Sequence, residues 1–430
     1  MRQIDRKILA LAVPALGALV AEPLFIALDT AMVGHLGAAQ LAGLAIASTI
    51  MQTLVGLMVF LAYATTPIVA RRLGARDRSG AVQAGVDGIY LAAGLGAALA
   101  VLLAVAHPVV IGFYHLDAHT AQAANTYLII SIFGLPAMLL VFAATGVLRG
   151  LQDTRTPLAI AGAGFTANAV LNAVLIYGCN LGIAGSALGT VIAQWGMVAV
   201  YIVVIQLKYH PSWRLGSVRE LSVSGGWLFV RTLTLRASLL ITVGAASAHG
   251  TDTTAAYQIV FTILSTLAFA LDALAIAAQA LIGHAFGSQR RLWAASVIRR
   301  TLSLGMWATV PLGALLLVSA PVVGRVFTTE PAVLEALPWA VAVLAISLPI
   351  AAVVYVLDGV LMGAGEARYL ALAGVVVLAA YTPAIVWVWI SDLSAPVVLL
   401  TVMYSFVFMG ARFVTLTLRT RRITRVTPVG

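Results

Sequence analysis

The sequence predicts an all-α polytopic membrane protein, with twelve transmembrane helices in two parallel six-helix repeats. Three observations carry that prediction. The 430 residues are 62% hydrophobic and only 9% charged, too little charge to keep a folded surface dissolved. Apolar runs long enough to cross a hydrocarbon core recur along the whole chain. Prolines and glycines also recur at one constant offset, which points to a duplicated unit.

The expected spans are 8–34, 41–70, 82–113, 121–147, 157–178, 183–207, 221–247, 254–284, 294–326, 333–361, 368–390 and 395–418. The first begins like a secretory signal, with basic residues ahead of an apolar run. Glu22, Pro23 and Asp29 interrupt that run and no cleavage site follows, so it reads as a retained first span.

Orientation follows from Lys and Arg. One set of loops holds Arg2, Arg6, Lys7, Arg71, Arg72, Arg149, Lys208, Arg290, Arg291, Arg368, Arg419, Arg421, Arg422 and Arg425, while the alternate loops hold none. Only Arg325 lies near that other side. Both termini are expected in the cytoplasm, in a bacterial cytoplasmic (inner) membrane. The pI of 10.1 comes from these scattered loop residues rather than a patch or arm, so no nucleic-acid partner is expected. The single cysteine, Cys179, excludes an internal disulfide, and no phosphate-binding loop signature offers ATP as an energy source.

The repeat is explicit. Pro108 and Pro321, Pro136 and Pro349, Gly37 and Gly250, Gly74 and Gly287, Gly146 and Gly359, and Gly150 and Gly363 are all separated by 213 residues. TGVLRGLQDTR at 145 aligns with DGVLMGAGEAR at 358. The halves are expected at 1–213 (an N-terminal lobe) and 214–430 (a C-terminal lobe), joined by the polar linker 208–220. An even number of spans per half gives both halves one orientation, a plan suited to alternating access and so to a transporter.

Ionisable residues at membrane depth are costly and mark function or pairing. The acids are Glu22, Asp29, Asp272 and Asp358, and Arg236 is the clear intramembrane base, with Arg231 nearer the cytoplasm. Seven helical steps return to within about 20°, so Glu22 and Asp29 share a face of the first span. Pro14 and Pro23 interrupt the same helix and are expected to bend it. Asn168 and Asn172, spaced i, i+4, share a face of the fifth span, and Thr190 lies at matching depth in the sixth. These residues form either one polar pocket around Asp29 or ordinary interhelical hydrogen bonds. Arg236 and Asp272 are expected to form a buried charge pair in the second lobe, and Asp358 to pair with Arg231. Met32, Met58, Phe60, Tyr63, Phe261 and Phe269 would suit an adaptable apolar substrate site or an ordinary helix core equally. The histidines show no metal-ligand spacing, and no metal or cofactor is expected.

The run LDTAMVGHLGAAQLAGLAI, followed by RRLGARDR, resembles the multidrug and toxic compound extrusion (MATE) family, and its DinF-like bacterial branch in particular. TANAVLNAVLIYG, GIAGSALGTVIAQW, RTLTLRASLLI, FALDALAIAAQALIGHAFGSQ and DGVLMGAGEARY extend the resemblance in order over nearly the whole chain. It implies a V-shaped pair of six-helix lobes acting as a secondary active antiporter rather than an enzyme. Amphipathic, often cationic compounds would leave in exchange for H⁺ or Na⁺. Asp29 matches the branch's coupling aspartate, Pro14 its helix-bending proline, and Asn168 and Thr190 its polar partners. Asn172 stands where the family has an acid, which weakens a Na⁺ site and favours protons, unless Glu22 substitutes. A lipid-linked-precursor flippase of the same superfamily is the alternative, but it needs several basic residues in its cavity where this chain offers Arg236. The expected partners are small amphipathic substrates and the bilayer, with the chain acting as a monomer.

Overall fold

A computed structural model describes residues 2–391 and 393–424; Arg425, counted above among the cytoplasmic charges, lies outside them. Every regular element among the described residues is helical. In lipid each backbone N–H and C=O must be satisfied within its own segment, which helices of Ala, Leu, Val and Ile achieve.

Eleven helices are long and apolar enough to cross a membrane: α1 (Gln3–Gly34), α2 (Ala38–Gly74), α3 (Arg78–Gly112), α5 (Arg155–Gly178), α6 (Ile183–Tyr209), α7 (Arg219–Ala248), α8 (Thr251–Gly287), α9 (Arg291–Val326), α10 (Pro331–Ala364), α11 (Ala367–Ile390) and α12 (Pro396–Thr424). The twelfth, α4, is a pair, Ala118–Ile132 and Leu135–Gly150, bent by 49°. Pro136 supplies no N–H to the turn before it, and Gly134 leaves that turn conformationally free. The equivalent helix α10 has Pro349 but Ser347 in place of the glycine, and runs unbroken. α1 is helical across both Pro14 and Pro23. α5 closes in a π-helical turn, Val174–Gly178.

The repeat seen in the sequence reappears as repeated geometry. Gly37 and Gly250, which precede α2 and α8, both have positive φ, 123° and 99°. A Cβ on Gly146 or Gly150 of α4 would lie 2.9 Å from the Ala62 carbonyl or 2.7 Å from the Thr66 carbonyl of α2. On Gly359 or Gly363 of α10 it would lie 2.4 Å from the Ala275 carbonyl or 2.5 Å from the Gln279 carbonyl of α8. Ala62 and Ala275, and Thr66 and Gln279, are again 213 apart. The glycines recur because in each half two helix backbones touch there, and only a residue without a side chain fits.

The described residues form two compact units, 13–225 and 1–12 with 226–430. Side-chain chemistry accounts for where the ends go. The linker is strapped to α3: Asp87, 3% exposed, accepts from Gly216 N at 2.7 Å, and Gln83 Nε2 donates to the Arg214 carbonyl at 2.7 Å. The Tyr90 hydroxyl donates to the Trp213 carbonyl, and Arg72 pairs with Glu220 at 3.1 Å. The first residues of α1 belong with the other unit, where Arg300 donates to both carboxylate oxygens of Asp5 and Lys7 lies over the Trp293 ring.

Candidate functional site

In the 13–225 unit, α1 and α5 run side by side in one direction. Gly17 meets Leu158, Phe25 stacks on Phe165 at 5.1 Å, and the Tyr177 hydroxyl donates to the Met32 carbonyl at 2.6 Å. α6 returns antiparallel to α5 so closely that a Cβ on Gly185 would lie 2.7 Å from the Leu175 backbone. This three-helix arrangement fixes the surroundings of Asp29.

Asp29 is 7% exposed. Its Oδ1 accepts two hydrogen bonds, from Asn172 Nδ2 and from the Ser186 hydroxyl, both at 2.7 Å. One turn deeper Asn168 Nδ2 donates to the Thr190 hydroxyl at 3.0 Å. Gly189 leaves room for the Asn172 side chain, whose Oδ1 would lie 2.1 Å from an added Cβ. Tyr127 of α4 is within electrostatic reach of Asp29 and beside the hydroxyls of Thr190, Ser131 and Ser186. No cationic side chain pairs with Asp29 among the described residues. Two buried amide oxygens around it, Asn168 Oδ1 and Asn172 Oδ1, have no partner among the described residues. The carboxylate is thus held by neutral donors only. It sits among oxygens able to accept a hydrogen bond or face a small cation.

Of the residues singled out in the sequence, Asp29 and Asn172 meet directly, and Asn168 and Thr190 meet each other. Pro14 is buried and Pro23 exposed along the same helix. Glu22 is exposed and makes no hydrogen bond to the Asp29 cluster, although it lies on nearly the same helical face two turns away. Met32, Met58, Tyr63, Phe261 and Phe269 are half-buried, and Phe60 is buried against Gly225. Ser186, Ser131 and Tyr127 are not among the sequence candidates. For Ser186 a signal was present: it precedes Thr190 by four residues on one face of α6, inside a run that reads as small-residue packing.

In the other unit the charges pair differently from expectation. Arg236 and Asp272 form no ion pair; Arg236 is exposed and Asp272 half-buried. The buried network is centred on Asp358, which pairs with Arg231 as expected and also with Arg412 of α12, whose Nη2 is 2.8 Å from Oδ1. Arg412, 8% exposed, is not among the sequence candidates although it lies inside the expected span 395–418, seven residues before the basic end that starts at Arg419. Asp358 carries two arginines because both sit buried at that level and a lone buried guanidinium is costly. Arg236 lies one and a half turns further along α7 and points away from them.

Comparison with known proteins places this architecture. The MatE family model matches twice, over residues 14–174 and 228–384. The chain is 30% identical over 392 residues to "Protein DETOXIFICATION 44, chloroplastic" of Arabidopsis thaliana, covering 87% of this chain and 75% of that one. It is 28% identical over 296 residues to "DNA damage-inducible protein F" of Escherichia coli, covering 66% and 64%. The Vibrio cholerae MATE transporter VcmN in the bent form has the same fold, with a TM-score of 0.90 at 18% identity, covering 99% of each chain. Twelve apolar helices in two repeats, matched twice by one family model, make this chain a member of the MatE family of multidrug and toxic compound efflux transporters.

Proposed function

We propose that the chain is a secondary active antiporter that exports amphipathic, often cationic, compounds in exchange for H⁺, with Asp29 as the coupling residue. One observation carries this reading: Asp29 is buried at membrane depth and held only by the neutral donors Asn172 and Ser186. A carboxylate there without a cationic partner is costly, and a proton is the simplest mobile compensation. Gaining or losing that proton changes which bonds Oδ1 can accept from α5 and α6. The energy involved, several kcal/mol, is about the gap between two conformers of a transporter. Pro14 and Pro23 weaken the backbone ladder of α1, so the helix that carries Asp29 is suited to bend. The protein would work as a monomer in a bacterial cytoplasmic membrane, with both termini inside, and without a cofactor.

A second reading, Na⁺ coupling through the same pocket, is favoured by the unpartnered Asn168 Oδ1 and Asn172 Oδ1 oxygens. Against it stands the neutral Asn172 beside a single acid, since a dehydrated cation gains most from several anionic oxygens. The test is substrate efflux from proteoliposomes with pH and sodium gradients imposed separately. Efflux should follow the pH gradient and vanish in Asp29→Asn, which keeps the side chain's size. Efflux driven by sodium at fixed pH would select the second reading, and normal pH-driven efflux by Asp29→Asn would sink the first.

A further inference from the structure

We propose that Arg236 is an anion-recognition residue, and that the compounds this protein binds include amphiphiles bearing a carboxylate or similar anionic group. This deepens the exporter reading and rests on it for the role of the bound compound.

Arg231, Arg236 and Arg412 of the second unit lie in the middle parts of membrane-crossing helices, well away from their ends. Asp358 takes two of them. Arg236 is the third, and it makes no hydrogen bond or ion pair with Asp272 or any other described residue. It is exposed, and it lies within about one turn of the middle of the 30-residue helix α7. A hydrocarbon core of about 20 residues centred on the helix ends about seven residues, ~10 Å, beyond Arg236, farther than the guanidinium reaches by extending. A charged side chain at that depth is not stable against lipid tails, so its open side faces water or a ligand.

The surroundings specify the ligand. Leu233 and Leu240, one turn to either side, are exposed on the same face. A planar fork of donors framed by apolar side chains complements a carboxylate or phosphate attached to an apolar body. The residue 213 positions earlier is Pro23, so the duplicated plan does not itself call for a charge at this site.

Binding without any gradient tests this. The purified protein in phosphatidylcholine nanodiscs, at one pH, is titrated against a xanthene dye with a free carboxylate and against its methyl ester. Arg236→Gln should weaken the acid by about tenfold or more and leave the ester within about twofold. Arg236→Lys keeps the charge but loses the fork, so it should weaken the acid selectively by a smaller factor, and it guards against a glutamine variant that fails to fold. Equal weakening of acid and ester, or of neither, overturns the proposal. So does displacement of the acid when an anionic phospholipid is added to the nanodiscs, which would make a lipid headgroup the occupant. Because no gradient is present, failure here counts against Arg236 alone, whereas failure of Asp29 coupling shows only in the efflux assays.

Discussion

Ser186 and Asn172 hold the same atom: each donates to Oδ1 of Asp29 at 2.7 Å, one from α6 and the other from α5. Three helices therefore meet at one carboxylate oxygen. Whatever changes the charge on that oxygen changes the tie between α1 and both neighbours at once.

Removing either donor should impair transport without removing the acid. A hydrogen bond to a charged group is worth about 1.5–3 kcal/mol, so Ser186→Ala and Asn172→Ala should each slow pH-driven efflux by about tenfold or more. Because both bonds end on one atom, the double variant should lose less than the product of the two effects. Initial rates in proteoliposomes measure this, and strictly multiplicative losses would mean the donors act separately.

Gly189 should matter for space alone. A Cβ there would lie 2.1 Å from Asn172 Oδ1, whereas one on Gly196 of the same helix meets nothing within 4 Å. Gly189→Ala should therefore reduce efflux about as far as Asn172→Ala does, and Gly196→Ala should leave it unchanged. Both gain the same helix propensity, so the pair separates crowding from any general effect on α6.

The Asp358 network predicts an asymmetry in stability. Asp358→Asn removes the acid that Arg231 and Arg412 share, and breaking a buried pair from one side costs about 3–5 kcal/mol. Arg412→Gln leaves Asp358 still paired with Arg231 and should cost clearly less. Thermal unfolding of the purified variants ranks them, and equal losses would show that Arg412 contributes as much as the acid itself.

Asp87 should control the linker. Its Oδ1 accepts from Gly216 N and from Gln83 Nε2; Asp87→Ala leaves Gly216 N unpaired, at a cost of about 1–3 kcal/mol, while Gln83 keeps its bond to the Arg214 carbonyl. Residues 210–218 should then be cut several-fold faster by a protease added to the purified protein. An unchanged cleavage rate would show that Tyr90 and the Arg72–Glu220 pair suffice to hold the strap.

The spans were legible because their signal is physical and one-dimensional: a membrane demands a long apolar run, and loop arginines set its direction. Asp29, Asn172, Asn168 and Thr190 were legible for a related reason, since polar groups at membrane depth stand out against that run. Ser186 was not, because a serine among glycines and alanines has the same pattern as a packing face. Arg236 and Asp272 looked paired because both were single, oppositely charged and at similar depth. Depth along a helix does not say which way a side chain points around it.

By itself the sequence determined twelve apolar helices, their duplication at 213 residues, and two acids in the first span, Glu22 and Asp29, whose counterparts Leu235 and Thr242 carry no charge. Only the tertiary structure decided that Asn172 and Ser186 converge on one oxygen of Asp29, that Asp358 takes both Arg231 and Arg412, and that Arg236 is left open. The division has a physical reason. Burial in lipid is a property of each segment and is written in its composition, whereas a hydrogen bond between helices depends on rotation and register that only packing fixes.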